Sequence, residues 1–339
     1  MKKYLLLTLK LMLCVVIVCS CAPVPPVSPS QSGNQQEDLD SLFSPPSTVR
    51  LTMATGSTSG VYYPYGGVLA LAISAATGYI KVNVNSTGAS LENVQQIAGG
   101  LANLAIVQND VVSYLNSENE AGTENTLAKL TTLMTLYPET CQLIVAADSD
   151  IESVADLKDK KISIGEEGSG VEVNALQILE AYGLTVDDIQ VQRLGFGPSA
   201  DAIRDNSVEG FFATSGLPNP AVVDLASARD LRVINLDAAK IDYLITNHPF
   251  YTAAVISERD YDFLSEPVNT VAVQAALIAS ADLDEQVAYD IVKAIIESKE
   301  SIMVANAKGA FIDPEYAVAG LSINLHPGAR KYFQEIGVL

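Results

Sequence analysis

The chain has 339 residues, 48% of them hydrophobic, with 40 acidic against 20 basic side chains and a formal net charge of −20. That acidity excludes a nucleic-acid-binding protein, which needs a basic face. Of four cysteines, three lie within the first 21 residues and only Cys141 falls in the fold, so an internal disulfide is excluded and stability must come from the core.

The chain opens "MKKYLLLTLKLMLCVVIVCSC". Two lysines precede an apolar run from Tyr4 to Cys19, the layout of a secretory signal. With Lys10 inside it the run is marginal as a membrane span, which needs about 20 apolar residues. Val18-Cys19-Ser20-Cys21 resembles a bacterial lipobox, so residues 1–20 read as a signal peptide and Cys21 as a lipidated residue that tethers the protein to a membrane surface. An ordinary secretory signal or a retained anchor is the alternative. Residues 21–48 are rich in Pro and Ser and predict an extended, mobile tether. Removal of Lys2, Lys3 and Lys10 with the signal leaves 17 basic residues against 40 acidic ones, a net charge of −23. The ~290 residues from Val49 onward exceed one ordinary domain and predict two lobes.

From Val49 the pattern alternates strand and helix. "VRLTMAT" is a strand, Val61 to Ala76 a helix, and "YIKVNVN" a strand with period-two alternation. Ser90 caps a helix that Gly99-Gly100 ends. "NLAIVQ" is a buried strand, and "LTTLMTLYP" and "CQLIVAA" are two more, divided by Pro138. "KKISIG", "IQVQRLG", "VEGFFAT" and "LRVINL" are strands, with helices at "GVEVNALQILEAYGL", "SADAIRDNS" and "PAVVDLASA". "FYTAAVIS" and "NTVAVQAALIAS" are apolar segments, and the end from Asp284 is helical, with its acidic start and later lysines matching the helix dipole. This order predicts an α/β fold with mostly parallel sheets, binding its ligand beyond the carboxyl ends of the strands. The two units are 49–137 and 138–252. Residues 253–339 return to the first unit, which makes two crossings, near Tyr137–Gln142 and Phe250–Val255.

Catalytic signatures fail one after another. "GFGPSA" (Gly195 to Ala200) matches a dinucleotide pattern, but no acidic residue ends a second strand at the required distance, so no nucleotide cofactor is expected. "GSTSG" puts Thr58 where a hydrolase elbow has serine. His248 and His326 both precede proline and read as turn residues, and no metal-ligand cluster or Ser-His-Asp set is legible. Cys141 begins an apolar run and reads as a buried structural thiol.

Five small polar loops remain, each following a strand and opening a helix: "ATGSTSGVYY", "NSTGAS", "VQND", "GEEGSGVE" and "TSGLPNP". Helix N-termini offer unpaired N–H groups, and glycine lets a ligand approach the backbone. Five such loops, three in one unit and two in the other, predict a cleft between lobes that holds a carboxylate on N–H and hydroxyl donors. Arg193 ends a strand and could reach that cleft, whereas Arg50 begins one. Asp110 and Glu172 read as positioning or capping groups.

The segments "ATGSTSGVYYPYGGVLA", "STGASLENVQQIAGGLANLAIVQND", "LYPE", "SVADLKDKKISIGEEGSGVEVNALQILEAYGL", "SVEGFFATSGLPNPAV" and "LHPGARKYFQEIGV" together resemble the solute receptors of TAXI-type TRAP transporters, from about Val49 to Leu339. The resemblance implies a two-lobed periplasmic-binding-protein architecture, type II-like, acting without cofactor or metal. It implies a monomer that closes on a small organic anion, such as glutamate or a dicarboxylate, and delivers it to a TRAP permease at the outer face of the cell membrane. Carried over, Gly56, Ser57, Thr58 and Tyr62 would stand nearest the ligand on one wall. Thr87, Ala89 and Ser90 would line the next strand end, and Gln108 and Asp110 the third. Ser169, Gly170 and Val171, with Ser215 and Gly216, would face them from the second lobe. A receptor for an ABC importer is the near alternative, and an enzyme on the same fold the distant one.

Overall fold

Among the described residues ten strands join one mixed sheet. They are β1 (Val49–Ala54), β2 (Ile80–Asn85), β3 (Leu104–Gln108), β4 (Leu130–Ala146), β5 (Lys161–Ser163), β6 (Gln190–Gln192), β7 (Gly210–Ser215), β8 (Leu231–Val233), β9 (Thr252–Ile256) and β10 (Val268–Ser280). The computed structural model describes residues 47–117 and 123–339. The signal peptide, Cys21 and nearly all of the tether lie outside the described residues. Among the described residues no helix is long and apolar enough to cross a membrane.

The strands run in the order β2-β1-β3-β10-β4-β7-β5-β6, with β8 on β4 and β9 on β10. β1, β2 and β3 are parallel, as are β5, β6 and β7. Every residue of β3 is buried, as befits a strand covered on both faces. The long strands β4 and β10 pair antiparallel and join the two parallel groups. Most of their buried hydrophobic side chains divide between the two largest cores. Leu133, Met134, Leu136 and Tyr137 of β4 and Ala275, Leu277 and Ala279 of β10 pack with the helices Tyr62–Thr77, Glu285–Glu297 and Pro327–Glu335. Cys141, Leu143 and Val145 of β4 and Val271 and Val273 of β10 pack with the helix Gly170–Ala181. The fold is therefore α/β and two-lobed, with β4 and β10 shared between the lobes.

Three local expectations change. "LTTLMTLYP" and "CQLIVAA" form one continuous 17-residue strand. Pro138 is tolerated inside it because it lies opposite Gln274, next to a register shift at Ala275/Ala276, and before β7 begins to pair at Thr140. Phe250–Val255, read as the return crossing, leads into β9, which pairs with Val268–Ala272. It is β10 that runs beside β4 from one core to the other. A helix at Ala238–Asn247, absent from the sequence reading, packs Ile241 and Leu244 into the second core.

Candidate functional site

The five loops converge. Residues of all five line one cavity between the two groups of strands, together with Glu139 of β4 and the turn Leu194–Phe196. Its empty space is about 530 Å³, counted out to where it meets solvent.

The first wall is the loop after β1. Ser57 and Ser59 hydroxyls lie 2.8 Å apart, and the Gly60 N–H donates to the Ser57 carbonyl at 3.0 Å, which closes a tight turn. The helix Tyr62–Thr77 that follows has no side-chain cap, so its first N–H groups are left for another acceptor. Behind this loop Asn93 donates to the carbonyls of Thr55 and Ile106 at 2.5 and 2.8 Å, which fixes β1 against β3. Thr87 spends its hydroxyl there too, on the Thr55 carbonyl and on Asn93 Oδ1. Ser90 does not cap its helix. Ala89 holds the cap position with φ 78°, and Ser90 Oγ accepts from the Gln108 N–H at 3.1 Å.

The opposite wall is the N-terminus of the helix Gly170–Ala181. Ser169 is its cap, accepting from the Glu172 N–H at 3.2 Å, while Glu172 Oε2 accepts from the Gly168 N–H at 2.8 Å. Gly165 has φ +95°, a conformation that only glycine adopts without strain, and a Cβ there would lie 2.6 Å from Val171 Cβ. Asn219 caps the helix Pro220–Ala226 and donates to Ser215 Oγ at 2.9 Å.

Polar bonds join the walls directly. Gln108 Nε2 donates to Asn174 Oδ1 at 2.8 Å, and Asn174 Nδ2 donates to Asp110 Oδ2 at 2.6 Å and to the Tyr251 hydroxyl at 2.8 Å. The Gly197 N–H donates to Ser59 Oγ at 3.1 Å, and the Leu91 N–H to the Gly168 carbonyl at 3.2 Å. The two sides thus stand in contact, with Gly60 against the ring of Phe196.

Of the residues singled out from the sequence, Gly56, Ser57, Tyr62, Ala89, Gln108, Ser169, Gly170, Val171 and Ser215 lie on the cavity wall. Thr58 is exposed, and Thr87, Ser90 and Asp110 sit behind the wall with their polar groups used by neighbours. Gly216 faces Lys308 and Tyr137. Arg193 is off the wall too and pairs with Glu172 at 2.7 Å.

Glu139 is among the wall residues that sequence reasoning passed over. It is 2% exposed, and the Tyr62 hydroxyl donates to its Oε2 at 2.5 Å. Burial pushes its carboxyl up to about 8, with Asp110 adding to the rise, while the Tyr62 bond and Lys308 oppose it. Burial likewise raises Asp110 to about 6 and lowers Lys308 to about 8. The signal was a single acid inside "LMTLYPETCQLIVAA", an apolar strand that has no need of one. Cys141, two residues further along the strand, is buried with its sulfur 3.5 Å from the Thr214 hydroxyl, and burial raises its thiol far above the reactive range. His326 accepts from the Gly328 N–H and caps a helix. Among the described residues no group of three His, Cys, Asp or Glu could hold a metal ion.

The model of the NMT1-like family matches residues 53–337. Among solved structures, one of a protein from Bordetella bronchiseptica RB50 superposes with a TM-score of 0.51 at 15% identity, covering 84% of this chain and 82% of that one. The alkanesulfonate-binding protein SsuA from Xanthomonas axonopodis pv. citri, bound to MOPS, matches with a TM-score of 0.49 at 15% identity over 85% of this chain and 84% of that one. A P235GK mutant of ArgBP from T. maritima matches with a TM-score of 0.48 at 13% identity over 80% of this chain and 96% of that one.

Proposed function

Because the chain belongs to the NMT1-like family, we propose that it is an extracytoplasmic solute receptor, a binding protein and not an enzyme, that holds a small organic acid between its two lobes. One observation carries this reading: a single cavity is walled by strand-to-helix loops from both groups of strands, and its donors are backbone N–H groups and hydroxyls. Such donors suit a carboxylate. Glutamate or a dicarboxylate is the solute class that the TAXI-type resemblance implies, and a TRAP permease the partner. The lobes would be 49–137 with 253–339, and 138–252, and the packing of Val271 and Val273 of β10 in the second core favours a return nearer Gln274. Bending of β4 and β10 near Pro138 and Gln274 would open and close the cleft.

Calorimetry against a panel of dicarboxylates, amino acids and sugars tests the reading. One acid should bind with 1:1 stoichiometry and without turnover. Turnover of a bound compound would place the chain among enzymes instead. Reconstitution with a fused multi-span permease separates a TRAP partner from an ATPase-driven importer, the alternative reading.

The tether is part of the same proposal. A Cys21→Ser chain should leave the membrane fraction for the soluble one. Retention of that variant in the membrane fraction would show that another segment is the anchor.

A further inference from the structure

The cavity has a charge that does not suit a simple anion. Its wall includes two carboxylates, Glu139 and Glu166, and no lysine or arginine. Tyr62 satisfies Oε2 of Glu139, and among the described residues nothing donates to Oε1. Glu166 lies against Gly195, makes no ion pair among the described residues, and has its carboxyl raised by burial and then by the like charge of Glu92. The nearby cations are committed elsewhere. Lys308 donates to the Leu217 carbonyl and lies 5.7 Å from the ring centroids of Tyr137 and Phe311. Arg193 is held by Glu172.

A buried carboxylate is stable as an anion only when it is paired and hydrogen-bonded. Burial favours the protonated form of Glu139, which avoids that cost. A dicarboxylate entering here would bring two more negative charges to a wall that has no cation. An ammonium group would instead pair with Glu139 and draw it into its ionised form. Much of the remaining wall is apolar, from Val61, Val171, Leu194 and Phe196.

We infer that the solute carries an ammonium group beside its carboxylate, received by Glu139 Oε1, so that the receptor takes an amino acid and rejects amine-free organic acids. The inference rests on the receptor reading and narrows it. In this arrangement the carboxylate meets the N–H groups at the start of the helices Tyr62–Thr77 and Gly170–Ala181, and the ammonium lies on the Glu139 side.

Calorimetry on the chain with matched pairs tests it: each common L-amino acid, glutamate and leucine among them, against its 2-oxo acid, with succinate as the diacid. At least one amino acid should bind, and its 2-oxo acid at least tenfold more weakly, which is about 1.4 kcal/mol. Glu139→Gln keeps the shape and can still accept from Tyr62. It should weaken the amino acid by tenfold or more while melting no lower than the parent. Binding of the 2-oxo acids or succinate as tightly as the amino acids would overturn the inference alone. So would unchanged amino-acid affinity in Glu139→Gln. Absence of binding by every probe would overturn the receptor reading and this inference with it. If the variant does not fold, the matched pairs decide the question on the parent chain.

Discussion

A Gly170→Ala chain should fold normally and bind its solute about 10- to 100-fold more weakly. Gly170 is the first residue of the helix Gly170–Ala181 and its φ is not in the left-handed region, so alanine costs nothing locally and is the better helix former. The obstacle is across the cleft. A Cβ on Gly170 would lie 1.9 Å from Gln108 Oε1, 2.2 Å from its Cδ and 2.7 Å from its Nε2. Gln108 cannot swing aside freely, because it is 3% exposed and donates to Asn174 Oδ1. Overpacking of this kind costs about 1–3 kcal/mol, and each 1.4 kcal/mol is tenfold in affinity. Parting the two walls relieves the clash at the expense of closure, so the loss falls on binding and not on the two cores. Calorimetry and a melting curve check both halves. Unchanged affinity would show that this contact is not part of the closed, solute-holding form.

Gly328→Ala should instead strike the fold. The helix Pro327–Glu335 packs on the helix Glu285–Glu297, and a Cβ on Gly328 would lie 2.1 Å from the Glu285 carbonyl oxygen and 2.8 Å from the Tyr289 nitrogen. Both are backbone atoms inside a helix, so neither can rotate away. The turn is also pinned on its own side, since the Gly328 N–H donates to His326 Nδ1 at 3.2 Å and His326 Nε2 pairs with the Leu283 carbonyl at 2.9 Å. The helices must separate, which exposes part of the first core around Tyr289, Tyr332 and Phe333. The expected cost is about 3 kcal/mol or more, at the upper end of overpacking. At roughly 2–4 °C per kcal/mol for a chain of this size, melting should fall by about 6–12 °C. Thermal denaturation followed by circular dichroism reads this directly, and a fall of less than about 2 °C would contradict the packing described for these helices.

These contrasts show where the sequence was readable. The strand-to-helix rhythm survived because it depends on local periodicity, and the loops at strand ends follow from that rhythm alone. Gly56, Ser57, Tyr62, Ala89, Gln108, Ser169, Gly170, Val171 and Ser215 were legible on the wall for this reason. Partners were not legible. Thr87, Ser90 and Asp110 have the donors and acceptors of ligand residues, yet they serve Thr55, Gln108 and Asn174, whose identity depends on tertiary contacts. Glu139 was hidden because Pro138 reads as the end of a strand, whereas β4 runs on and carries the acid into the cleft. Phe196 was discounted along with the glycine pattern that contains it, and Leu194 was read only as part of a strand, although that turn faces Gly60 and closes the cavity. Lys308, more than 150 residues from Glu139 in sequence, influences it only because the last part of the chain returns to the first core.

The central claim is that one solute is held by both walls at once. Amide hydrogen exchange, followed by mass spectrometry with and without saturating solute, tests it most directly. The account predicts that solute slows exchange at 57–65 and at 168–174 together, with the outer surface of both lobes unchanged. Protection on one wall only, or on neither while calorimetry records binding, would contradict it.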